Sequence, residues 1–113
     1  MKWTKGRQGT GYFKMKLFES RKFYFDCYIL RFPKGSKLIT HVDKVNSDWE
    51  HHRFNFILKK AKVGGVFHAW FMPRKKRNAR WYRFRPDIHP HGMTPIVEGS
   101  RYVLSIGWLR RKK

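Results

Sequence analysis

Short runs of alternating polar and apolar residues, each closed by a turn signal, limit the fold of this chain more than any other feature of its sequence. The clearest run, Phe23–Phe32, is rich in aromatic and β-branched residues and ends at a turn sequence, Pro33-Lys34-Gly35. Similar runs lie at residues 12–18, 38–43, 51–59, 66–72, 80–85, 90–96 and 101–108, and none has the period of an amphipathic helix. Short strands with turns about every ten residues predict an all-β sandwich or barrel.

The size and composition of the chain predict one folded domain. Its 113 residues suffice for a single barrel, and its 18% aromatic content supplies large buried areas that oppose disorder. We expect a basic arm at residues 1–11, a β-domain at 12–109 and a basic tail at 110–113. The single Cys27, the absence of a membrane-length apolar run and the absence of a secretory core predict a soluble cytoplasmic protein.

The tripeptide His41-Val42-Asp43 is the first candidate for a metal site. Residues that alternate on a strand point to the same side, so His41 and Asp43 can offer a ring nitrogen and a carboxylate oxygen to one ion. His91 is the candidate third ligand, because two histidines and one carboxylate with an open face are the donor set of non-haem Fe(II) oxygenases. The tripeptide alone is a weak signal.

The spacing after His91 is more specific. Pro95, Gly99 and Arg101 follow this histidine at intervals of four, eight and ten residues, and the apolar run that ends at Trp108 comes next. With His41-Val42-Asp43 and with Gly64-Gly65 between the two histidines, the segment Phe25–Trp108 resembles the Fe(II)- and 2-oxoglutarate-dependent dioxygenase superfamily. Within that superfamily it is most similar to the prolyl 4-hydroxylase-like branch.

The resemblance implies a fold, a reaction and a ligand set. The fold would be a double-stranded β-helix, a cupin-like jelly-roll barrel of two facing sheets. His41, Asp43 and His91 would hold Fe(II), and 2-oxoglutarate and O₂ would be cosubstrates of a hydroxylation or oxidative demethylation that releases succinate and CO₂. Arg101 stands at the family's basic position and would bind the far carboxylate of 2-oxoglutarate, because a guanidinium matches a carboxylate bidentately.

Further cosubstrate contacts are expected from neighbouring strands. Arg53 and Asn55 share one face of a predicted strand, and Arg53 resembles a strand arginine of the aspartyl/asparaginyl hydroxylase branch. Relatives often carry a cosubstrate-binding tyrosine nine or ten residues before the first histidine, where this chain has Phe32; Tyr28 lies on the same face and is the candidate replacement.

The remaining histidines are not assigned to the site. His89 competes with His91 as the distal ligand but lacks Pro, Gly and Arg at the family's offsets. His51, His52 and His68 are interpreted as surface or packing residues.

The charge of the chain predicts a polyanionic partner, with nucleic acid as the first candidate. Lys plus Arg outnumber Asp plus Glu 27 to 7, and the formal net charge is +20. The candidate phosphate contacts include the basic tip Arg74-Lys75-Lys76-Arg77, and Trp49, Trp70 and Trp81 are candidates for stacking a base. The substrate stays open between a nucleobase and a protein side chain, and the alternative function is a non-catalytic nucleic-acid-binding β-domain.

The sequence also bears on the oligomeric state of the protein. Larger relatives cover the barrel with N-terminal helices, and no such helix is predicted in this sequence. We therefore expect an exposed sheet face that a second copy, giving a homodimer, or another protein covers.

Overall fold

The structure, a computed structural model, describes residues 2–6, 9–22, 24–43, 45, 48–69 and 80–111. Within these ranges the chain forms strands and turns, and no helix occurs in them, so none that could span a membrane. The strands are β1 (Thr4–Lys5), β2 (Phe13–Ser20), β3 (Phe25–Phe32), β4 (Leu38–His41), β5 (Trp49–Lys59), β6 (Val63–Gly64), β7 (Phe67–Ala69), β8 (Trp81–Phe84), β9 (His91–Met93), β10 (Ile96–Glu98) and β11 (Arg101–Arg111).

Two antiparallel sheets form the barrel. The large sheet has the order β1-β2-β3-β11-β5-β8, the small sheet has the order β4-β9-β7, and β10 pairs with β6 as a separate ribbon. The sheets face each other, since Phe67 of the small sheet stacks on Tyr82 of the large sheet at 4.3 Å between ring centroids. The prediction of an all-β jelly roll is confirmed.

Strict alternation along β11 and β5 separates the inner face of the large sheet from its outer face. On β11 the buried residues are Arg101, Val103, Ser105 and Gly107, and the intervening residues are half-buried. Val103 pairs with Leu30 of β3 and Ile57 of β5, and the side chains of Val103 and Ile57 are 1% exposed. Because successive side chains on a strand point to opposite faces, this apolar row lies inside the barrel.

Two adjacent glycines, Gly64 and Gly65, shape the chain where β6 ends. Gly64 and Gly65 have φ of +82° and +67°, a backbone region that favours glycine. A Cβ on Gly64 would also collide with the carbonyl oxygen of Pro95. Gly65 then donates its backbone N–H to Pro95 O, and the short strand β6 pairs with β10.

Several strand boundaries differ from those predicted. The strand predicted through residue 43 ends at His41, and Asp43 beyond it donates its backbone N–H to Pro86 O at 2.7 Å. The run predicted at 90–96 is split between β9 and β10. Part of the predicted arm, Thr4–Lys5, pairs with β2, and β11 continues to Arg111 within the predicted tail.

Candidate metal centre

The register of the small sheet brings the two candidate histidines together. Strands β4 and β9 are antiparallel, and His41 is the direct partner of His91. Side chains of directly paired residues lie on the same face at close range, and the two ring centroids are 4.4 Å apart. Asp43 follows two residues after His41, and its hydrogen bond to Pro86 O anchors the chain just past the end of the strand.

The three donor groups converge on one point. The Asp43 carboxylate places Oδ1 at 3.3 Å from His41 Nε2 and Oδ2 at 3.5 Å from His91 Nε2. The ligand atoms of the three residues all lie within 4.8 Å of one another, and among the described residues this is the one cluster of His, Cys, Asp or Glu with that property. The sequence prediction of these residues thus matches a real convergence of side chains.

The hydrogen bonds of the two imidazoles fit metal ligation. His41 Nδ1 lies 2.7 Å from Ile39 O, and His91 Nδ1 lies 2.8 Å from His89 O. A carbonyl oxygen only accepts, so each Nδ1 carries a proton and donates it, which leaves Nε2 of each ring as the atom that faces the cluster and could ligate a cation. Outer hydrogen bonds of this kind fix the tautomer of metal-binding histidines. Two imidazoles and a carboxylate suit Fe(II) and related divalent ions.

The burial of the three groups leaves one side of the site open. The His91 side chain is 6% exposed, whereas those of His41 and Asp43 are 30% and 35% exposed. Burial alone would raise the pKa of Asp43, but the hydrogen bond from His91 and the nearby rings of His41 and His51 outweigh it and hold this pKa below its ordinary value. The carboxylate is therefore ionised at neutral pH and available to a cation.

A cavity of about 810 Å³ connects this cluster with the inner face of the large sheet. Phe67 and Phe84 form an apolar part of its wall, and the ring of Phe84 contacts that of His91 at 5.0 Å. Its polar lining outside the cluster includes Lys14, Arg21, Asp26, Tyr28, His51, Arg53, Asn55 and Ser105. Three of the four predicted cosubstrate residues, Tyr28, Arg53 and Asn55, therefore line the same cavity as the cluster.

Arg53 is held rigidly at the cavity wall. Its Nη2 donates to Asp26 Oδ1 and its Nη1 donates to Ser105 Oγ, both at 2.7 Å. The guanidinium lies over Gly107, its direct partner on β11, where any Cβ would overlap it. The glycine inside β11 is thus explained by the arginine that crosses it.

Asn55 presents an unused acceptor. This residue is 5% exposed and lines the cavity, and its Nδ2 donates to the Tyr82 hydroxyl at 3.1 Å. Its Oδ1 is buried without a hydrogen-bond partner among the described residues. Because an unpaired buried acceptor is costly, the position suits a donor from a bound molecule or a water.

Arg101 is buried, but it is not among the residues that line the cavity. Its Nη1 donates to Gly65 O at 3.0 Å, and the guanidinium also donates to the Tyr82 hydroxyl. Burial raises the pKa of Tyr82 despite the opposing effect of Arg101, so this phenol stays neutral. Arg101, Tyr82 and Asn55 thus form a chain of hydrogen bonds that ends at the cavity.

His51 is a cavity residue that the sequence interpretation treated as a surface or packing histidine and did not assign to the site. It lies two positions before Arg53 on the same face of β5 and lines the cavity. Burial, and secondarily Arg53, lower the pKa of His51 to about 4, so the ring is neutral at pH 7. The alternation of β5, which predicted the shared face of Arg53 and Asn55, was the signal that could have found it.

The other sequence candidates lie apart from the cluster. His89 Nδ1 accepts the backbone N–H of Arg85 at 3.1 Å, and this histidine is not part of the metal-binding group. His52 stacks on Trp108, with 5.7 Å between centroids, on the outer face. The basic tip Arg74-Lys75-Lys76-Arg77 and Trp70 lie outside the described residues.

Comparison with known proteins supports the fold. No protein-family model and no curated protein matches this sequence. A Pseudomonas putida prolyl-4-hydroxylase structure is 15% identical, with a TM-score of 0.64, over 91% of this chain and 73% of that one. The viral collagen prolyl hydroxylase of Paramecium bursaria Chlorella virus-1, solved as a 2OG complex, is 15% identical, with a TM-score of 0.63, over 95% and 84%. The Schizosaccharomyces pombe Cnp3 cupin domain is 11% identical, with a TM-score of 0.60, over 97% and 69%.

These similarities show a cupin-type jelly roll. At identities of 11–15% they carry the fold alone. Enzymes and a domain described only as a cupin share it, so the fold does not decide between catalysis and binding. The function of this chain therefore depends on the side chains that it places on this fold.

Proposed function

We propose that this protein is an Fe(II)- and 2-oxoglutarate-dependent oxygenase that hydroxylates or oxidatively demethylates its substrate. The observation that carries the proposal is the convergence of His41, Asp43 and His91 at a cavity, with both Nδ1 atoms bonded to backbone carbonyls. Two prolyl hydroxylases among the structural neighbours, one solved as a 2OG complex, are consistent with it. Bound at this cluster, Fe(II) with 2-oxoglutarate and O₂ would supply the oxidation, and succinate and CO₂ would be released.

The residues of this chain would orient and protect the reacting groups. The carbonyls of Ile39 and His89 hold the rings so that their Nε2 atoms face the Asp43 carboxylate, and a cation would be bound between these three groups. Phe67 and Phe84 exclude water on the inner side. A cavity of about 810 Å³ lies within the range of ligand sites, about 300–1,000 Å³, and has room for the cosubstrate beside part of a larger substrate.

Arg101 is our first candidate for the far carboxylate of 2-oxoglutarate. A buried guanidinium needs a counter-charge, and within the described residues no carboxylate lies within salt-bridge distance of Arg101. The Tyr82 hydroxyl, which lies between Arg101 and Asn55 in the hydrogen-bond chain, would have to turn aside to admit the anion. Arg53 lines the cavity directly, but Asp26 already neutralises it, so it is the second candidate.

Metal binding tests the proposal without a known substrate. We expect anaerobic addition of Fe(II) and 2-oxoglutarate to produce a visible charge-transfer absorption band at one Fe(II) per chain. His91→Ala should abolish the band and weaken metal binding by at least tenfold, because two ligands remain. His89→Ala is the matched control, since His89 lies two residues away and outside the cluster. The absence of stoichiometric metal binding by the unmodified chain would refute the proposal.

The two guanidinium candidates can be separated with the same signal. Arg101→Met should weaken 2-oxoglutarate binding in the band titration while Fe(II) binding is retained, because Arg101 would contact the cosubstrate and is not one of the three metal-ligand candidates. Arg53→Met should do so instead if Arg53 holds the carboxylate.

Succinate release can then be followed over oligonucleotides and peptides. We propose a nucleobase before a protein side chain as substrate, because a chain of net charge +20 attracts polyanions.

A non-catalytic nucleic-acid-binding domain is the second candidate function. The same charge favours it, and one structural neighbour is described only as a cupin domain. It predicts that His41→Ala and Asp43→Ala leave partner affinity unchanged, whereas neutralising Arg74, Lys75, Lys76 and Arg77 weakens it.

A further inference from the structure

The outer face of the large sheet carries an aromatic strip, which is made of four aromatic residues and one arginine. The strip comprises Phe54 and Phe56 on β5, Trp81 and Arg83 on β8, and Trp108 on β11. Strand register sets these residues side by side, since Phe56 pairs with Trp81 and Phe54 pairs with Arg83. Their neighbours Tyr82, Asn55 and Ile57 are buried, so alternation directs the strip away from the barrel interior.

The rings of the aromatic strip contact one another and remain accessible. Phe54 and Trp81 stack at 5.7 Å between centroids with 29° between planes, and the Arg83 guanidinium lies 5.6 Å from the Trp108 ring centroid. Trp81 is 58% exposed and Phe56 is 37% exposed. A planar group can therefore stack on the Trp81 ring. The Arg83 guanidinium can then contact a negative charge on the same bound molecule.

Charge decides which partner fits this surface. A second copy of the chain would bring another +20 formal charges to the same face, and this repulsion opposes a dimer there. A polyanion is attracted by the same charge. Among polyanions, only one with accessible flat rings uses the exposed indole and phenyl groups, and unpaired bases stack on aromatic side chains whatever their sequence. Duplex bases are already stacked on each other and are not available.

We propose that the aromatic strip binds single-stranded nucleic acid, with bases stacked on Trp81 and Phe56 and a phosphate near Arg83. The strip lies on the opposite face of β5 from Arg53 and Asn55, which line the cavity. Binding there requires no metal, so this proposal and the oxygenase proposal can fail separately.

Fluorescence anisotropy with three labelled probes tests the stacking. The probes are a single-stranded oligothymidylate, a strand of the same length and phosphate count without bases, and a duplex of the same length, all at one salt concentration. The unmodified chain should bind the oligothymidylate at least about tenfold more tightly than the base-free strand, because either one of the two stacked bases alone is expected to contribute about that much. Equal affinity for these two probes would reduce the interaction to charge attraction and overturn the proposal, as would tighter binding of the duplex.

Substitutions then locate the contact. Trp81→Ala should weaken oligothymidylate binding about tenfold, and Trp81→Phe should retain most of the affinity because it keeps a ring. Val97→Ala is the control, since Val97 is also 58% exposed but lies on β10, outside the large sheet. Unchanged binding by Trp81→Ala would overturn the proposal.

The rival occupant of the aromatic strip is a second copy of the chain. The mass of the protein in solution, measured on the same samples, tests for it. If the unmodified chain is a dimer and Trp81→Ala is a monomer, the aromatic strip is a protein interface and the proposal is wrong. A monomeric unmodified chain whose oligothymidylate affinity depends on Trp81 supports it.

Discussion

Polar side chains on the inner face of β5 set this molecule apart from a purely structural barrel. His51, Arg53 and Asn55 occupy alternate positions where a core strand is normally apolar. Each has a different state: His51 is neutral, Arg53 is paired with Asp26, and Asn55 keeps an acceptor without a partner among the described residues. Their measurable consequences therefore differ.

Removing the His51 ring should change how stability depends on pH. The folded pKa of His51, about 4, lies below its ordinary value of 6.5, so between these values the unfolded chain binds a proton at this residue that the folded chain does not. The contribution of His51 to stability is thus complete above pH 6.5 and falls as the pH drops towards 4. The unmodified chain should lose unfolding free energy as the pH falls from 6.5 towards 4. We expect the His51→Gln variant to lose about 1–3 kcal/mol less over the same pH range.

Urea unfolding at neutral and acidic pH measures this difference. His52→Gln is the neighbouring control, because His52 lies on the outer face against Trp108. An identical pH dependence of His51→Gln and the unmodified chain would contradict the assignment of His51 to the barrel interior.

At the scale of elements, alternation and register determine which side chains form the core. Strand β11 is central to the large sheet and pairs with both β3 and β5 along most of its length. Its residues therefore form rows with those of its two neighbours. One row contains Leu30, Val103 and Ile57, and another contains Asp26, Gly107 and Arg53.

Adjacent residues of β5 should differ sharply in their effect on stability. Ile57 is 1% exposed and Leu58 is 46% exposed. Ile57→Ala should lower the free energy of unfolding by about 2–5 kcal/mol, because it leaves a cavity in the core, and Leu58→Ala should change it by no more than about 0.5 kcal/mol. Chemical denaturation measures both. Equal losses would indicate that the strand register is wrong.

The row that contains Asp26, Gly107 and Arg53 gives a second test of the strand register. Gly107→Ala should displace the Arg53 guanidinium from Asp26 and cost about 1–3 kcal/mol. In an Arg53→Met background the same glycine substitution should cost less, because the overlapping group is gone. A double-mutant cycle in urea measures the coupling, and strictly additive losses would show that the two residues do not meet.

For the whole molecule, charge rather than core composition is the unusual property. A net charge of +20 on 113 residues places like charges close together over the entire barrel. Their repulsion opposes the compact state, and it is long-ranged at low ionic strength. The same repulsion is why a polyanion, rather than a second copy, is proposed for the aromatic strip. The homodimer itself stays a prediction.

Salt should therefore stabilise this protein. Raising NaCl from about 0.01 M to about 0.15 M shortens the screening length from about 30 Å to about 8 Å, and the melting temperature should rise. Differential scanning calorimetry measures the shift, and sucrose, which carries no charge, is the control for general solute effects. A melting temperature that falls with salt would show that attractive ion pairs such as Arg53–Asp26 outweigh the repulsion.

The sequence by itself determined what depends on local pattern. Alternation and turn signals predicted the all-β fold, and the spacing around His41, Asp43 and His91 identified the three residues that the structure brings together. Side-chain periodicity and turn chemistry act over a few residues and need no knowledge of distant partners.

Only the tertiary structure decided which distant side chains meet. The pairing of His41 with His91 and the position of Arg53 over Gly107 follow from strand register, and the hydrogen bond from Arg101 to Tyr82 joins β11 to β8. Register is set by the combined packing of strands far apart along the chain, so a shift of one residue would turn every side chain to the opposite face without altering any local pattern. For that reason the fold decided which face of β5 forms the wall of the cavity, although the alternation along β5 already places His51 on the same face as Arg53 and Asn55.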